Sequence, residues 1–179
     1  FSFSATSIFQ KIQSNFPVFH DLLSQAGLAN QFELRYTFLS DNEEYTVLVP
    51  NDSVLTAFQA DTLEQEELRE LLRLHFVQGD LIFTDGQKSA GYYKTARIDE
   101  KSTNFTTIFS KIYIDPGVDV INIADAQGGT YTGAVESEFT NIMTGMDVGE
   151  GTEVFRDLII TGVVHEIDRV LLFEEVDTD

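Results

Sequence analysis

The 179-residue sequence contains no cysteine. Disulfide bonds, thiolate nucleophiles, zinc–thiolate sites and iron–sulfur clusters are therefore excluded together, because each of them requires a cysteine sulfur. This absence does not decide the compartment, since many secreted bacterial proteins also lack cysteine.

Basic residues are scarce as well, with 11 Lys and Arg against 30 Asp and Glu and a formal net charge of −19. Nucleic acids and anionic lipids bind cationic surfaces, so we expect neither as a partner. No apolar run reaches the length of a membrane span, and the opening FSFSATS lacks the basic and apolar regions of a signal peptide. Because the chain starts at Phe1, we expect that it was trimmed and that an export signal or lipid anchor would lie outside it.

Hydrophobic residues, in contrast, are abundant, at 42% of the chain with 12% aromatic residues and fifteen Phe. Such a composition indicates a packed interior rather than disorder. The length suits one domain with a substantial core, so we predict a single domain over residues 1–179.

Helical patterns are most evident in the first half of the chain. Asn15–Pro17 predicts a helix start with proline in the first turn, and Gly27 predicts its end. A second helix is predicted by the capping-box spacing of Thr62 and Gln65, with Gly79 as its terminator. Its apolar face carries Leu68, Leu71, Leu72 and His75.

Strand patterns begin between these helices and dominate after them. Tyr45–Val49 predicts a short strand that is buried on both faces; Pro50 ends it, and Asn51 or Asp52 caps the next helix. From LIFTDG onward, apolar and β-branched runs alternate with turn residues, including a hairpin turn at 127–129, and TNIMTGMD suggests a short helix. Leading helices followed by a mostly antiparallel sheet indicate the α+β class.

Three segments, taken in order, resemble the fasciclin domain family. TVLVPNDSVLTAF (46–58) resembles its strand–Pro–cap–helix signature, LLRLHFVQG (71–79) a helix end with a histidine before a turn, and TGVVHEIDRVLL (161–172) its second signature. The resemblance covers about Thr6 to Glu174 and implies N-terminal helices packed against a mostly antiparallel sheet or β-wedge. It implies structural roles for Pro50, Asn51, His75, Gly79, Gly162 and His165.

The resemblance also implies a function: a non-enzymatic adhesion or binding module outside the cytoplasm, with protein or glycan partners and no cofactor. The insert within residues 85–155 exceeds a minimal fasciclin domain and is similar to modules of Bacteroidetes-type cell-envelope lipoproteins. A lipid anchor in the envelope and a second fasciclin domain in the full-length protein are therefore expected. Two departures are Thr161-Gly162 in place of Thr-Asn-Gly, and Leu74 where a tyrosine often precedes the histidine.

The two histidines of the signatures have residue patterns of their own. In an extended strand, His165 shares its face with aliphatic residues, whereas Glu166 and Asp168 point the other way and cannot orient its ring. His75 continues a helical leucine stripe. We predict that both rings are buried and neutral, with hydrogen bonds to the backbone, and that His165 lies near the strand–Pro turn of the first signature.

Motifs of known enzyme classes do not match. GQKSAG does not have the spacing of a nucleophile elbow, and the chain has neither a phosphate-binding glycine loop nor the H-E-x-x-H motif. The acidic turns do not follow the alternating calcium-loop pattern, so we predict no metal site at Asp115, Asp119, Asp125, Asp147, Glu150 or Glu153.

Candidate partner contacts lie outside the signatures. Asp157-Leu158 stands where adhesive fasciclin domains have an Asp-Ile dipeptide, although it also fits a turn that leads into a core strand. Tyr92, Tyr93 and Phe105 could stack on sugars or on a protein partner, or instead cover the sheet. Three hypotheses result: an adhesion module, an envelope accessory protein that captures glycans for uptake, and, with least support, a hydrolase.

Overall fold

The computed structural model describes residues 2–4, 8–40, 43–83, 87–116, 120–124, 131–135, 142–144 and 161–172, and all structural statements concern these ranges. Within them no helix combines the length and apolar character needed to cross a membrane. The helices are α1 (Ile8–Asn15), α2 (Pro17–Gln25), α3 (Asp52–Phe58) and α4 (Gln65–Leu74). The strands are β1 (Ser2–Ser4), β2 (Ala29–Asn30), β3 (Arg35–Tyr36), β4 (Glu44–Pro50), β5 (Phe76–Gln78), β6 (Gly91–Ile98), β7 (Phe109–Pro116), β8 (Val120–Ala124), β9 (Tyr131–Val135), β10 (Ile142–Thr144) and β11 (Thr161–Ile167).

The fold is α+β, as the sequence predicts, and it is built on one large sheet. Nine strands pair in the order β1-β10-β11-β4-β5-β6-β7-β8-β9, while β2 and β3 form a separate hairpin. The large sheet is mostly antiparallel, with parallel pairing of β1 with β10 and of β4 with β11. The β4–β11 pair joins the first and third signatures directly, and it places His165 opposite Leu48.

Strand β4 is buried on both faces from Tyr45 to Pro50, as its mostly apolar sequence predicts. Val47 and Val49 belong to a large core cluster that also contains buried residues from all four helices. Leu48 points the other way, into a second cluster with Ile112 and Ile114 of β7. The strand is therefore enclosed between a helical layer and the β7 side of the curled sheet, which explains why it carries no alternation of apolar and polar residues.

Several predicted helix boundaries are confirmed. Pro17 is the first residue of α2, and Gly27 follows that helix with φ of +76°. Asn51 is the N-cap of α3, and its side-chain oxygen accepts the N–H of Val54 at 2.9 Å. The neighbouring Asp52 instead accepts the N–H of Val18 at 3.3 Å, which ties α3 to α2.

The predicted capping box at Thr62 and Gln65 is wrong. Thr62 lies in a short 3₁₀ turn (Ala60–Thr62), and its hydroxyl donates to the carbonyl of Gln59 at 2.7 Å. Helix α4 begins at Gln65 with Glu64 as its N-cap, and no side chain bonds to the cap. Because Glu64 occupies the N-cap position, Thr62 lies two residues before the cap and does not cap the helix.

Gly79 ends a strand, not the helix as predicted. Helix α4 stops at Leu74, because Phe76–Gln78 forms β5 and pairs with β4. Gly79 then has φ of +85°, a conformation that favours glycine, and its N–H donates to the carbonyl of Glu44 at 2.7 Å. Pairing with the central strand has overridden the helical periodicity of this segment.

Two further local predictions are corrected, and a third is only partly described. Leu81–Phe83 is irregular and not a strand, and Ile142–Thr144 is strand β10 where a short helix was suggested. The predicted turn at 127–129 lies outside the described residues, but the flanking β8 and β9 pair antiparallel, with Ala124 opposite Tyr131.

Gly162 is enclosed where α1 crosses β11, and this packing yields a stability prediction. A Cβ on Gly162 would lie 2.6 Å from Ile8 Cδ1 and 3.1 Å from the carbonyl oxygen of Tyr45. Gly162→Ala should lower the free energy of unfolding by about 1–3 kcal/mol, because the Ile8 side chain must repack or α1 must shift outward. Urea unfolding measures this difference.

Gly91→Ala is the matched control, since a Cβ there meets no atom within 4 Å. We expect its stability to stay within about 0.5 kcal/mol of the wild type. Equal effects of the two substitutions would contradict the close packing of Ile8 against Gly162.

Candidate functional site

His165 is fully buried at the centre of β11 and bonds to the backbone. Its Nε2–H donates to the carbonyl oxygen of Ile82 at 2.6 Å, and because a carbonyl can only accept, the proton must lie on Nε2. The N–H of Ile82 donates to Thr46 Oγ1 at 2.9 Å. Side chains of two paired strands thus satisfy both backbone groups of Ile82, which explains why this segment needs no strand partner.

The partner of His165 differs in position from the one predicted. The sequence places the ring near the strand–Pro turn that Pro50 forms, whereas the bond is made to Ile82, in the irregular segment after β5. Thr46 supports the same segment, because its hydroxyl donates to the carbonyl of Asp80 at 2.7 Å. His165 therefore fixes a loop to the sheet from within the core.

His75 joins all three signature segments. It is the C-cap of α4 rather than a continuation of the leucine stripe, and it is buried. Its Nδ1–H donates to the carbonyl of Leu71 at 2.8 Å, and its Nε2 accepts the N–H of Leu171 at 3.0 Å. Its own carbonyl accepts the N–H of Leu48 at 2.9 Å. Both ring nitrogens are occupied by backbone groups, which fixes one neutral tautomer.

Burial keeps both signature histidines uncharged. Desolvation lowers the pKa of His75 to about 4 and that of His165 to about 4, against smaller opposing effects of their backbone hydrogen bonds. A catalytic histidine must reach substrate with one nitrogen while an acid orients the other. His75 has neither property, and His165 is inaccessible to solvent. The prediction of buried rings bonded to the backbone describes the arrangement found.

The third histidine, His20 in α2, is also buried. Its Nδ1 lies 2.9 Å from the hydroxyl oxygen of Tyr36, and the ring packs edge-on against Phe9 at 4.7 Å between centroids. Burial lowers the pKa of His20, with a smaller opposing effect from the charge of Asp21. The β2–β3 hairpin, which carries Tyr36, covers the ring in a way that helical periodicity alone does not reveal.

The outer face of β6 and β7 forms the most distinctive surface of the described chain. We define the β6–β7 strip as Tyr92, Lys94, Phe109, Lys111 and Tyr113. Tyr92 lies opposite Tyr113 in the strand register, and their rings meet edge-on at 5.2 Å between centroids. Lys94 lies opposite Lys111, and its Nζ is 5.5 Å from the centroid of the Phe109 ring. Tyr92 is 49% exposed, so a partner has access to the strip.

Tyr92 and Tyr93, both candidate contacts from the sequence, lie on opposite faces. Tyr93 packs against the second core cluster, and its hydroxyl donates to the carbonyl of Ser89 at 2.6 Å. Burial raises its pKa, with a smaller contribution from the charge of Asp80. Tyr93 therefore covers the sheet, while Tyr92 and the fully exposed Phe105 remain available to a partner.

The two lysines of the strip were missed by sequence reasoning. Their signal is the alternation in TIFSKIYID, which places Phe109, Lys111 and Tyr113 on one face of a strand and Ile112 with Ile114 on the other. What the sequence does not show is the register of β6 against β7. The cross-strand pairs exist only because that register sets Tyr92 against Tyr113.

Asp157 and Leu158 lie outside the described residues, so their proposed contact stays a prediction. Of the acidic turn residues considered for calcium, Asp115 is described and is exposed. Among the described residues, no group of three His, Asp or Glu is arranged to hold a metal ion.

A groove of 410 Å³ beside α4 is lined by Glu66, Arg69, Glu70, Arg73, Ile98, Asp99, Glu100 and Ser102. Two of its arginines donate from Nε to backbone carbonyls, Arg69 to Ala26 and Arg73 to Ala96.

Comparison with known proteins identifies the family. The profile described as Fasciclin domain matches residues 14–173, and the chain belongs to this family. No curated protein matches. A solved structure of a FAS1 domain pair from the insect cell adhesion molecule Fasciclin I is 18% identical over 91% of this chain, with a TM-score of 0.42. The match spans 43% of that longer chain.

Family membership carries a general functional meaning. Fasciclin domains are known as cell-adhesion modules, are typically extracellular or at the cell surface, and are generally non-enzymatic. The three segments that carry the sequence resemblance, 46–58, 71–79 and 161–172, lie within the matched range.

Removing the imidazole of His165 should destabilise the fold. His165→Ala leaves the Ile82 carbonyl without its donor and opens a cavity, so we expect a loss of about 2–4 kcal/mol in the free energy of unfolding. Asp168→Ala is the control, because this neighbour is exposed and should change stability by less than about 0.5 kcal/mol. An unchanged unfolding curve for His165→Ala would contradict the structural role.

Stability should also fall on acidification. The folded-state pKa values of His75 and His165 lie near 4, below the ordinary histidine value of 6.5, so between these values the unfolded chain binds more protons. Each histidine should therefore reduce the free energy of unfolding by about 2 kcal/mol between about pH 7 and about pH 5. Denaturant titrations at both pH values measure this loss.

Carboxylates titrate in the same range, so His165→Ala serves as the reference for the acid effect. Between these pH values the free energy of unfolding should fall by about 2 kcal/mol less in the variant than in the wild type. The reason is that the variant lacks one of the two histidines whose protonation is prevented by burial in the folded state. Equal losses would show that His165 is not kept neutral by burial.

Proposed function

We propose that this chain is a non-enzymatic binding module that acts outside the cytoplasm, in adhesion to protein or matrix partners. The observation that supports it most is the use of the signature histidines. His75 commits both ring nitrogens to the backbone, and His165 is sealed in the core. The best candidate groups for chemistry thus serve the fold, and function falls to the outer surface.

Two surfaces are candidates for the partner. The β6–β7 strip offers exposed aromatic area, which is enriched in protein interfaces, beside the charges of two lysines. The Asp157-Leu158 dipeptide offers a carboxylate for direction and an aliphatic side chain for contact area. A lipid-anchored form in a bacterial envelope, and a neighbouring fasciclin domain, remain parts of this proposal.

The second candidate function is capture of glycans for uptake, and the exposure of Tyr92 favours it. A ring on the outer face of a sheet provides a flat apolar surface with a polar edge, which suits the face of a sugar. A glycan array on which binding depends on Tyr92 would support this alternative. Hydrolysis has less support, because neither signature histidine is placed to act as a base.

Attachment of cells or matrix to the immobilised protein tests the primary proposal. We expect attachment above that given by the unfolded protein, and a decrease of about tenfold in affinity for Asp157→Ala, since one anchor contact is lost. Asp168→Ala removes the same charge at an exposed position and should leave attachment unchanged.

Two results would contradict the proposal. One is attachment no stronger than that of the unfolded protein. The other is hydrolysis of generic ester or glycoside substrates that His165→Ala abolishes without changing the unfolding curve, because that separation would assign the imidazole to catalysis.

A further inference from the structure

The paired lysines of the β6–β7 strip are locally unfavourable as they stand. Like charges directly opposite each other on neighbouring strands destabilise a sheet. Lys94 and Lys111 occupy such a position. Among the described residues, neither lysine has a carboxylate within ion-pair distance. Unfavourable repulsion of this kind is expected where function constrains the sequence more strongly than stability does. A bound anion would reduce the repulsion between the two lysines.

The strip also departs from the overall charge of the molecule. Residues 87–116 contain five basic and three acidic residues, a net charge of +2 in a chain of net charge −19. Two of these basic residues, Lys88 and Arg97, form ion pairs with Asp80 and Glu70, so the positive charge of the strip is that of Lys94 and Lys111. Asp115, one step beyond Tyr113 on the same face, bounds the strip at that end. A negatively charged ligand would be drawn to this region and repelled from the acidic surface elsewhere.

Aromatic rings and ammonium groups alternate along the strip. The Tyr92–Tyr113 pair and the Lys94–Lys111 pair are one same-face step apart, about 7 Å along the strands. A ligand that uses both pairs must present an apolar face and a negative charge within one such step. A uronic-acid residue does so, because its carboxylate is attached directly to a ring whose C–H faces are apolar.

We propose that the β6–β7 strip binds a polysaccharide whose sugar residues carry carboxylates. This inference rests on the proposed function, since it names the matrix component that the module contacts. An acidic protein is a poorer fit, because a stable protein interface covers about 800 Å² per partner and would extend beyond the strip, on a chain whose net charge is −19. A single polysaccharide chain covers the strip alone.

Polygalacturonate oligosaccharides are the probe, compared with the same oligosaccharides after full methyl esterification. Titration calorimetry in the presence of a chelator excludes bridging by divalent cations. We expect binding to the carboxylate form, weakening as salt is added, and loss of binding on esterification, since the ester keeps the sugar faces and removes the charge. Equal binding of both forms would overturn the proposal.

Two pairs of variants separate the strip from general electrostatics. Lys94→Gln/Lys111→Gln should weaken binding about tenfold, since two charge contacts are lost. Lys11→Gln/Arg169→Gln changes the net charge equally at positions outside residues 87–116, and the affinity should stay within about twofold. Tyr92→Ser should also weaken binding, whereas Phe105→Ser, at a position that is 99% exposed, should not. Equal effects within either comparison would overturn the proposal.

Thermal unfolding tests whether a variant binds weakly only because it is less stable. Lys94→Gln/Lys111→Gln should keep or raise the melting temperature, because the repulsion between the lysines is removed. If polyglutamate binds as tightly as polygalacturonate, the proposal of a glycan ligand is overturned, and an acidic polypeptide is the ligand class instead. Attachment to matrix or cells without binding of polygalacturonate would overturn this inference and leave the proposed function intact. Failure of attachment alone would count against the proposed function only.

Discussion

The backbone hydrogen bonds of His75 are the contacts on which the rest of the structure depends. One ring holds the last turn of α4 and the backbone of Leu171, while the carbonyl of the same residue holds Leu48 in β4. Segments far apart in sequence therefore meet at one buried, neutral group. Because an unpaired polar group in such a place costs more than the bond itself contributes, the arrangement constrains all three signatures at once.

His165, on the other side of β4, also uses its ring to bind the backbone of a distant segment. Together with Thr46 it satisfies both backbone groups of Ile82, so an irregular segment is tolerated against the core. This explains how the second core cluster closes without another strand at that position. Burial also explains why two imidazoles in a strongly acidic protein remain uncharged, because desolvation makes the largest contribution to the pKa of each.

Because the signature histidines serve the interior, a binding function must come from residues on the surface. The β6–β7 strip lies directly over Ile112 and Ile114 of the second cluster, so its rings and lysines rest on a packed support. Groups held on paired strands are positioned more reproducibly than groups on a loop. The strip therefore combines a local basic charge with fixed geometry, in a molecule whose overall charge would repel most anions.

The sequence by itself determined the elements with short-range causes: the start of α2 at Pro17, the cap at Asn51, the fully buried β4, and the α+β class. It also predicted that the signature histidines are buried, because their neighbours on the same face are aliphatic. Only the tertiary structure decided that Gly79 ends a strand, that His20 is covered, and that Lys94 faces Lys111. These three features depend on strand register and on packing between distant segments, which the pattern of one segment does not determine by itself.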